Sequence, residues 1–250
     1  MAGDAAAREL RAKHGLGAEP IHDLRNLIAQ IAELRLIEKV LVEDIDGAYA
    51  YDRELQRGFI LLNAKRHWTR RRFTMAHELG HHVLGHQERV DKNVLDLYDP
   101  AEVDANAFAA ELLMPATAIH ESPRVHGMEE VAELAGHFSV SGRAMIVRLA
   151  ALRVIDTPLR QKLESEYEPA FVREFFQANV PDRIDMSGTA LPRDFVDAVL
   201  KRYVAGRVSR EAVIEALDIT EADAEELLPP VEQNLAVMER ANSGLPRSSV

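Results

Sequence analysis

Apolar residues early in the chain follow two different periods. Ile21, Leu24, Leu27, Ile28, Ile31 and Leu34 recur at helical spacing and predict an amphipathic helix with one buried face. The pattern then shortens into apolar runs, Val40-Leu41-Val42 and Phe59-Ile60-Leu61-Leu62, with residues 49–51 as a strand between them and a turn signal at Asp46-Gly47. Such runs predict a small antiparallel sheet. Helical spacing returns with Met75, Leu79 and Val83, which share one face suited to a core. The next helix is bounded at both ends, by Asp99 as N-cap with Pro100 in the first turn, and by Pro115 as the stop. Its alanines at 105, 109 and 110 allow another helix to come close.

Residues 129–137 predict a helix, residues 138–140 a turn, and Ser141 the N-cap of a second helix reaching Leu152. Leu134, Phe138, Val140, Met145 and Leu149 would form its small core. Thr157-Pro158 marks a boundary, beyond which the chain is acid-rich and helical throughout. There Phe195, Val199, Leu200, Tyr203 and Val204 form one apolar stripe. Ser209 caps a helix to Leu217, Thr220 caps another to Leu228, and after Pro229-Pro230 a last helix covers residues 231–240. The expected class is α+β, mainly helical, with an all-helical C-terminal domain. Residues 1–19 read as a mobile or weakly helical lead-in, 20–122 as the sheet-and-helix domain, and 123–157 as a helix-turn-helix-like element packed on it. Residues 158–241 read as an acidic helical regulatory or interaction domain and 242–250 as a disordered tail.

Composition narrows the chemistry. The chain of 250 residues holds no cysteine, so thiolate metal sites are excluded and any zinc must be held by histidine and carboxylate. A net charge of -11 disfavours tight non-specific binding of nucleic acid by the whole molecule. No apolar run approaches a membrane span, and residues 1–20 lack a hydrophobic core of signal-peptide length; the expected location is cytoplasmic, with no membrane partner. Two basic features leave a weak nucleic-acid contact open. One is the run Lys65-Arg66-His67-Trp68-Thr69-Arg70-Arg71-Arg72, which reads more simply as a solvated loop with Trp68 on the domain edge. The other is the 141–152 helix, from which Arg143 and Arg148 would project. The acidic residues Glu221, Asp223, Glu225 and Glu226 would repel phosphates, so residues 158–241 suit protein contact, including homodimerisation.

The chemistry-bearing stretch is His77-Glu78-Leu79-Gly80-His81, a match to HExxH. Residues four apart share a helix face, so His77 and His81 can hold one metal ion, and Glu78 offers a carboxylate that takes a proton from a metal-activated water. A longer HExxHxxGxxH would require Gly at 84 and His at 87, where Leu84 and Gln87 stand. Gly85 and His86 are each displaced by one residue, so a third histidine ligand is not expected from this helix and the third ligand must come from elsewhere. Glu102 and Asn106 stand four apart on one face of the 99–115 helix, the arrangement of a ligand glutamate with a residue that steadies a ligand histidine. Glu102 is also placed for a capping box, and Asp104, on a different face, is the competing carboxylate.

Three blocks, RFTMAHELGHHVLGH, EVDANAFAAELLMP and LAGHFSVSGRAMIVRLAALRVI, together resemble the ImmA/IrrE family of metallopeptidases over about residues 20–156. The resemblance implies a zincin-like domain, zinc on His77, His81 and Glu102, and Glu78 as catalytic base. It also implies cleavage of a DNA-bound helix-turn-helix repressor in phage, mobile-element or DNA-damage responses. Asp104-Ala105-Asn106 departs from the Glu-Ala-Asn or Glu-Ala-Asp of relatives but leaves Glu102 and Asn106 in register. For the oxyanion, Tyr98, His120 and His126 qualify by residue type only. The rival expectation is a non-catalytic DNA-binding or antitoxin-like regulator with a structural metal site. Structural zinc is usually closed by four protein ligands, and three are apparent here.

Overall fold

The structure is a computed structural model that describes residues 2–31, 33–41, 45–86, 89–91, 99–168, 193–217, 224 and 228. The chain divides into two compact units, residues 1–189 and 190–250. The fold is α+β and mainly helical.

The first unit opens with α1 (Ala2–Lys13), where the sequence predicts a mobile or weakly helical lead-in. Ala7, Leu10 and Arg11 are buried, and Arg11 donates to the carbonyls of Leu112 and Glu19 and, at 2.8 Å, of Gly17. Burial pulls the Arg11 guanidinium below its ordinary pKa, opposed by Glu111 and Glu19. Gly3 lies directly on the backbone of Asp104 and Phe108, where a Cβ would clash. The segment is therefore part of the core.

The helix predicted over residues 21–34 is much shorter. α2 (Leu24–Ala29) is capped by Asp23, whose side chain accepts from Asn26 N–H at 2.8 Å. Leu34 instead begins β1 (Leu34–Lys39). The strand predicted at residues 40–42 is displaced accordingly: Val40 is 57% exposed, and Val42 lies outside the described residues. β2 (Gly47–Asp52) and β3 (Arg57–Asn63) fall where the apolar runs place them, and β4 (Arg89–Asp91) completes a sheet of order β1-β3-β2-β4. β2 is antiparallel to both β3 and β4. β1 is parallel to β3, pairing Leu34 with Gly58 and Lys39 with Asn63, so the sheet is mixed rather than antiparallel.

α3 (Trp68–Val83) lies against this sheet. Met75 and Leu79 are buried as the pattern requires, joined by Ala76, while Val83 is exposed where the helix leaves the core. The basic run at its start is structural. Arg66 and Arg70 both reach Asp46, at 2.6 Å and 3.0 Å, and buried Arg71 reaches Glu38 at 3.4 Å. Arg72, 1% exposed, donates to the Ile21 carbonyl. Asp46 is thus an ion-pair anchor beside β2. Arg66, Arg70, Arg71 and Arg72 of the run are all engaged within the protein.

α4 (Pro100–Leu113) starts and stops as predicted, with Asp99 accepting from Ala101 N–H at 2.9 Å. α5 (Ala116–Glu121) follows, and then α6 (Met128–Phe138) and α7 (Gly142–Ala151) form the predicted helical pair. Ser139 closes α6 at φ 57°, and Ser141 caps α7 by accepting from Ala144 N–H at 3.1 Å. Leu134, Phe138, Val140, Met145 and Leu149 are all buried. Arg148, however, does not project. It is 5% exposed, pairs with Glu111 of α4 and donates to the Met114 carbonyl at 3.0 Å. The pair is packed on the rest of the unit, and this arginine is unavailable to DNA. α8 (Thr157–Glu166) also belongs to the first unit, with Leu163 fully buried in its core, so the predicted boundary at Pro158 falls within that unit.

In the second unit, α9 (Arg193–Val204) and α10 (Arg210–Leu217) bury Tyr203, Val213 and Leu217 with Ala224 and Leu228. Ser209 caps α10 by accepting from Ala212 N–H at 3.2 Å. The expected helix at 231–240, the tail, most of the acidic 220–228 stretch, and the Phe195 side chain lie outside the described residues.

The buried Arg148–Glu111 pair generates a stability prediction. Removing one partner of a buried ion pair strands the other charge and costs about 3–5 kcal/mol. Arg148→Met should lower unfolding free energy in urea by about that much, and Glu111→Gln/Arg148→Met together by less than the sum of the single changes. An unchanged midpoint for Arg148→Met would contradict the packed placement of α7.

Candidate metal centre

The i, i+4 spacing on α3 brings His77 and His81 to one face, and both are fully buried. α4 crosses that face. The crossing is close because Gly80 lies on the Phe108 ring, where a Cβ would sit 3.0 Å from the ring edge. Ala105 and Ala109 are buried without bulk. Glu102 in the first turn of α4 is thereby delivered to the histidines. Its carboxylate lies 3.1 Å from His77 Nε2 and 3.4 Å from His81 Nε2, and the two Nε2 atoms are 3.0 Å apart. Asn106, one turn along α4, places Oδ1 3.1 Å from His77 Nδ1.

Burial alone would raise the Glu102 pKa, but hydrogen bonds and charge from His77 and His81 outweigh it and hold the carboxyl well below the usual range. Glu102 is therefore an anion throughout the neutral range. The competing carboxylate, Asp104, is turned to α1, with Oδ1 3.3 Å from Gly3 N. Glu102 does not serve as the capping-box acceptor either, because its oxygens face the histidines.

Glu78 is fully buried on the same turn of α3 as His77. It lies toward the start of β2, where a Cβ on Gly47 would come within 2.8 Å of its Oε1. Only glycine at 47 leaves room for this carboxylate between helix and strand. His82 points to the sheet instead: its Nδ1 is 3.0 Å from Tyr49 Oη, beneath Gly58. Burial lowers the His82 pKa, against an opposing effect of Glu33, and raises Tyr49 to about 12 with a further contribution from Tyr51. Of the oxyanion candidates, His120 and His126 are exposed, and Tyr98 lies outside the described residues.

One residue that sequence reasoning passes over is His86. Its Nδ1 lies 2.9 Å from His81 Nδ1. The signal for it was Gly85, a helix-terminating glycine one residue earlier that folds the chain back on itself.

His77, His81 and Glu102 each offer one atom within 4.8 Å of the others, and all three residues are buried. The site passes a test of fit for a metal ion on its own geometry, since two imidazole Nε2 atoms and an anionic carboxylate converge. The Nδ1 sides of both rings are occupied by other partners. Two nitrogens and an oxygen are a donor set that suits zinc.

Comparison with known proteins finds relatives over the stretch that holds these residues. Residues 33–150 match a peptidase family described as the IrrE N-terminal-like domain. That stretch belongs to the family. It contains the α3 and α4 residues of the site and the α6–α7 pair. The radiation response metalloprotease IrrE of Deinococcus deserti is 31% identical over 157 residues, which is 60% of this chain and 54% of that protein. An uncharacterized immunity region protein 2 of Bacillus phage phi105 is 33% identical over 91 residues, 35% of this chain and 56% of that protein. The chain spans about half the length of these curated relatives.

With zinc as probe, equilibrium dialysis separates the two carboxylates. Glu102→Ala should abolish or strongly weaken uptake, Asn106→Ala should weaken it roughly 10–100-fold, and Asp104→Ala should leave it near that of the unaltered chain. The opposite ranking of Glu102 and Asp104 would overturn the assignment.

Proposed function

We propose that the chain is a zinc-dependent endopeptidase that cleaves one specific protein inside the cytoplasm. The substrate class is a helix-turn-helix transcriptional repressor, cut in a stress, phage or mobile-element response. The observation that carries this reading is the convergence of His77, His81 and Glu102 beside a buried Glu78. The radiation-response metalloprotease and the phage immunity protein among its relatives point the same way. Among the described residues no helix is long and apolar enough to cross a membrane.

When bound, zinc supplies a Lewis acid for the scissile carbonyl and lowers the pKa of a water to about 7. The protein's part is to orient and to move protons. His77 and His81 present Nε2, with Asn106 fixing the His77 ring through Nδ1. Glu102 stays anionic and completes the protein ligands. Glu78 accepts a proton from the attacking water and returns it to the leaving amine. His77, His81 and Glu102 would hold the ion with one protein ligand fewer than a closed structural site uses. The activity must be selective, because indiscriminate proteolysis in the cytoplasm would be lethal. Selectivity would come from an extended substrate segment laid along the sheet edge.

Co-expression with the cognate repressor tests this. The unaltered chain should yield one discrete repressor fragment. Glu78→Gln should fold and hold zinc yet yield none, and casein should be a poor substrate for both. Release of the operator while the repressor stays whole would favour the non-catalytic regulator.

A further inference from the structure

α3 ends at Val83 and is capped by Leu84; Gly85 then takes φ 69°. In this left-handed conformation Gly85 N–H donates to the His82 carbonyl at 3.1 Å, and His86 N–H reaches back to the His81 carbonyl at 2.9 Å. A Cβ at 85 would meet nothing within 4 Å, so backbone conformation and not space calls for glycine. The reversal lays the His86 ring against His81, with centroids 5.0 Å apart at 62°. Their Nδ1 atoms come within 2.9 Å of each other.

That contact constrains protons. His81 turns Nε2 toward His77 and Glu102, and an imidazole that ligates through Nε2 is neutral with its proton on Nδ1. Two Nδ1 atoms in hydrogen-bond contact share a single proton, so one donates and the other accepts. With His81 Nδ1–H donating, His86 Nδ1 accepts and the proton of His86 sits on its Nε2. The same relation holds at the other histidine, where Asn106 Oδ1 accepts from His77 Nδ1–H at 3.1 Å.

We propose that His86 is a positioning residue for the metal centre, locking the tautomer and ring plane of His81 as Asn106 does for His77. This rests on the metal reading of His77, His81 and Glu102 given above. His86 is not a fourth ligand, because it meets His81 on the side of the ring turned away from Glu102. The α3 helix thus extends its function past its own last turn: the helix supplies two ligands, and its glycine cap returns a third histidine to hold one of them.

The test is zinc affinity measured by competition with a chromophoric chelator, on the full chain. His86→Leu removes the acceptor, whereas His86→Asn keeps an oxygen on Cγ where Nδ1 hangs in histidine. His86→Leu should weaken zinc binding roughly 10–100-fold with an unchanged apo circular dichroism spectrum, and His86→Asn should recover most of the loss. Zinc binding by His86→Leu as tight as by the unaltered chain overturns the inference, as does an Asn variant as weak as the Leu variant. If His86→Leu fails to fold, Gly85→Ala displaces the ring by straining the cap. It should weaken zinc similarly, and unaltered affinity there would equally overturn the inference. An unaltered chain that takes up no zinc, or a His81→Ala chain that binds it as well, fails the metal reading itself.

Discussion

The site depends on how closely α3 and α4 approach each other. At the crossing, Gly80 has no side chain and rests on Phe108, whose ring would be met at 3.0 Å by any Cβ placed there. Ala105 and Ala109 keep the facing side of α4 equally low. With the backbones this near, the i, i+4 pair His77 and His81 faces the i, i+4 pair Glu102 and Asn106. His77 then touches both members of the α4 pair, Glu102 through Nε2 and Asn106 through Nδ1. A larger residue at 80 would part the helices and separate donor atoms that have to meet within a few ångströms.

The same helix is pressed on its other side by the sheet. Gly47 and Gly58 leave room there for Glu78 and His82 respectively. The result is a fully buried set of two imidazoles and Glu78, with Glu102 only 6% exposed. Such a concentration of polar groups is expensive in a protein interior unless each is satisfied by a partner or an opposite charge. The hydrogen bonds to Asn106 and His86 satisfy the outer edges of the imidazoles, and a divalent cation would balance the carboxylates at the centre. Arg11 on the Leu112 carbonyl and Arg148 on Glu111 tie α1 and α7 to the C-terminal end of α4, the helix that bears Glu102 in its first turn.

Local signals in the sequence were sufficient wherever the deciding partner is close in the chain or the constraint is geometric. HELGH, the Asp99-Pro100 start of α4, the Glu102–Asn106 spacing and the Ser141 cap are of this kind. What the sequence concealed depends on residues far away. Leu34 continues the helical period of residues 21–34, yet parallel pairing with β3 takes it as the first residue of a strand. α1, rich in alanine and charge, reads as a mobile or weakly helical lead-in until the Asp104 and Phe108 backbone is placed against Gly3. Arg148 looks like an outward residue of a recognition helix until Glu111, 37 positions earlier, draws it inward. His86 was hidden by the opposite kind of error. Counting along an ideal helix puts it out of register, but Gly85 ends the helix and brings it back.

The central claim is a centre of two imidazoles and one carboxylate that leaves a position for water and substrate. X-ray absorption spectroscopy at the zinc edge of the loaded protein tests it most directly. The account predicts light-atom ligands at about 2.0–2.1 Å with multiple-scattering features of two imidazoles, the remaining ligands being oxygen. A signature of three or four imidazoles would mean that His82 or His86 closes the site, and would contradict the account.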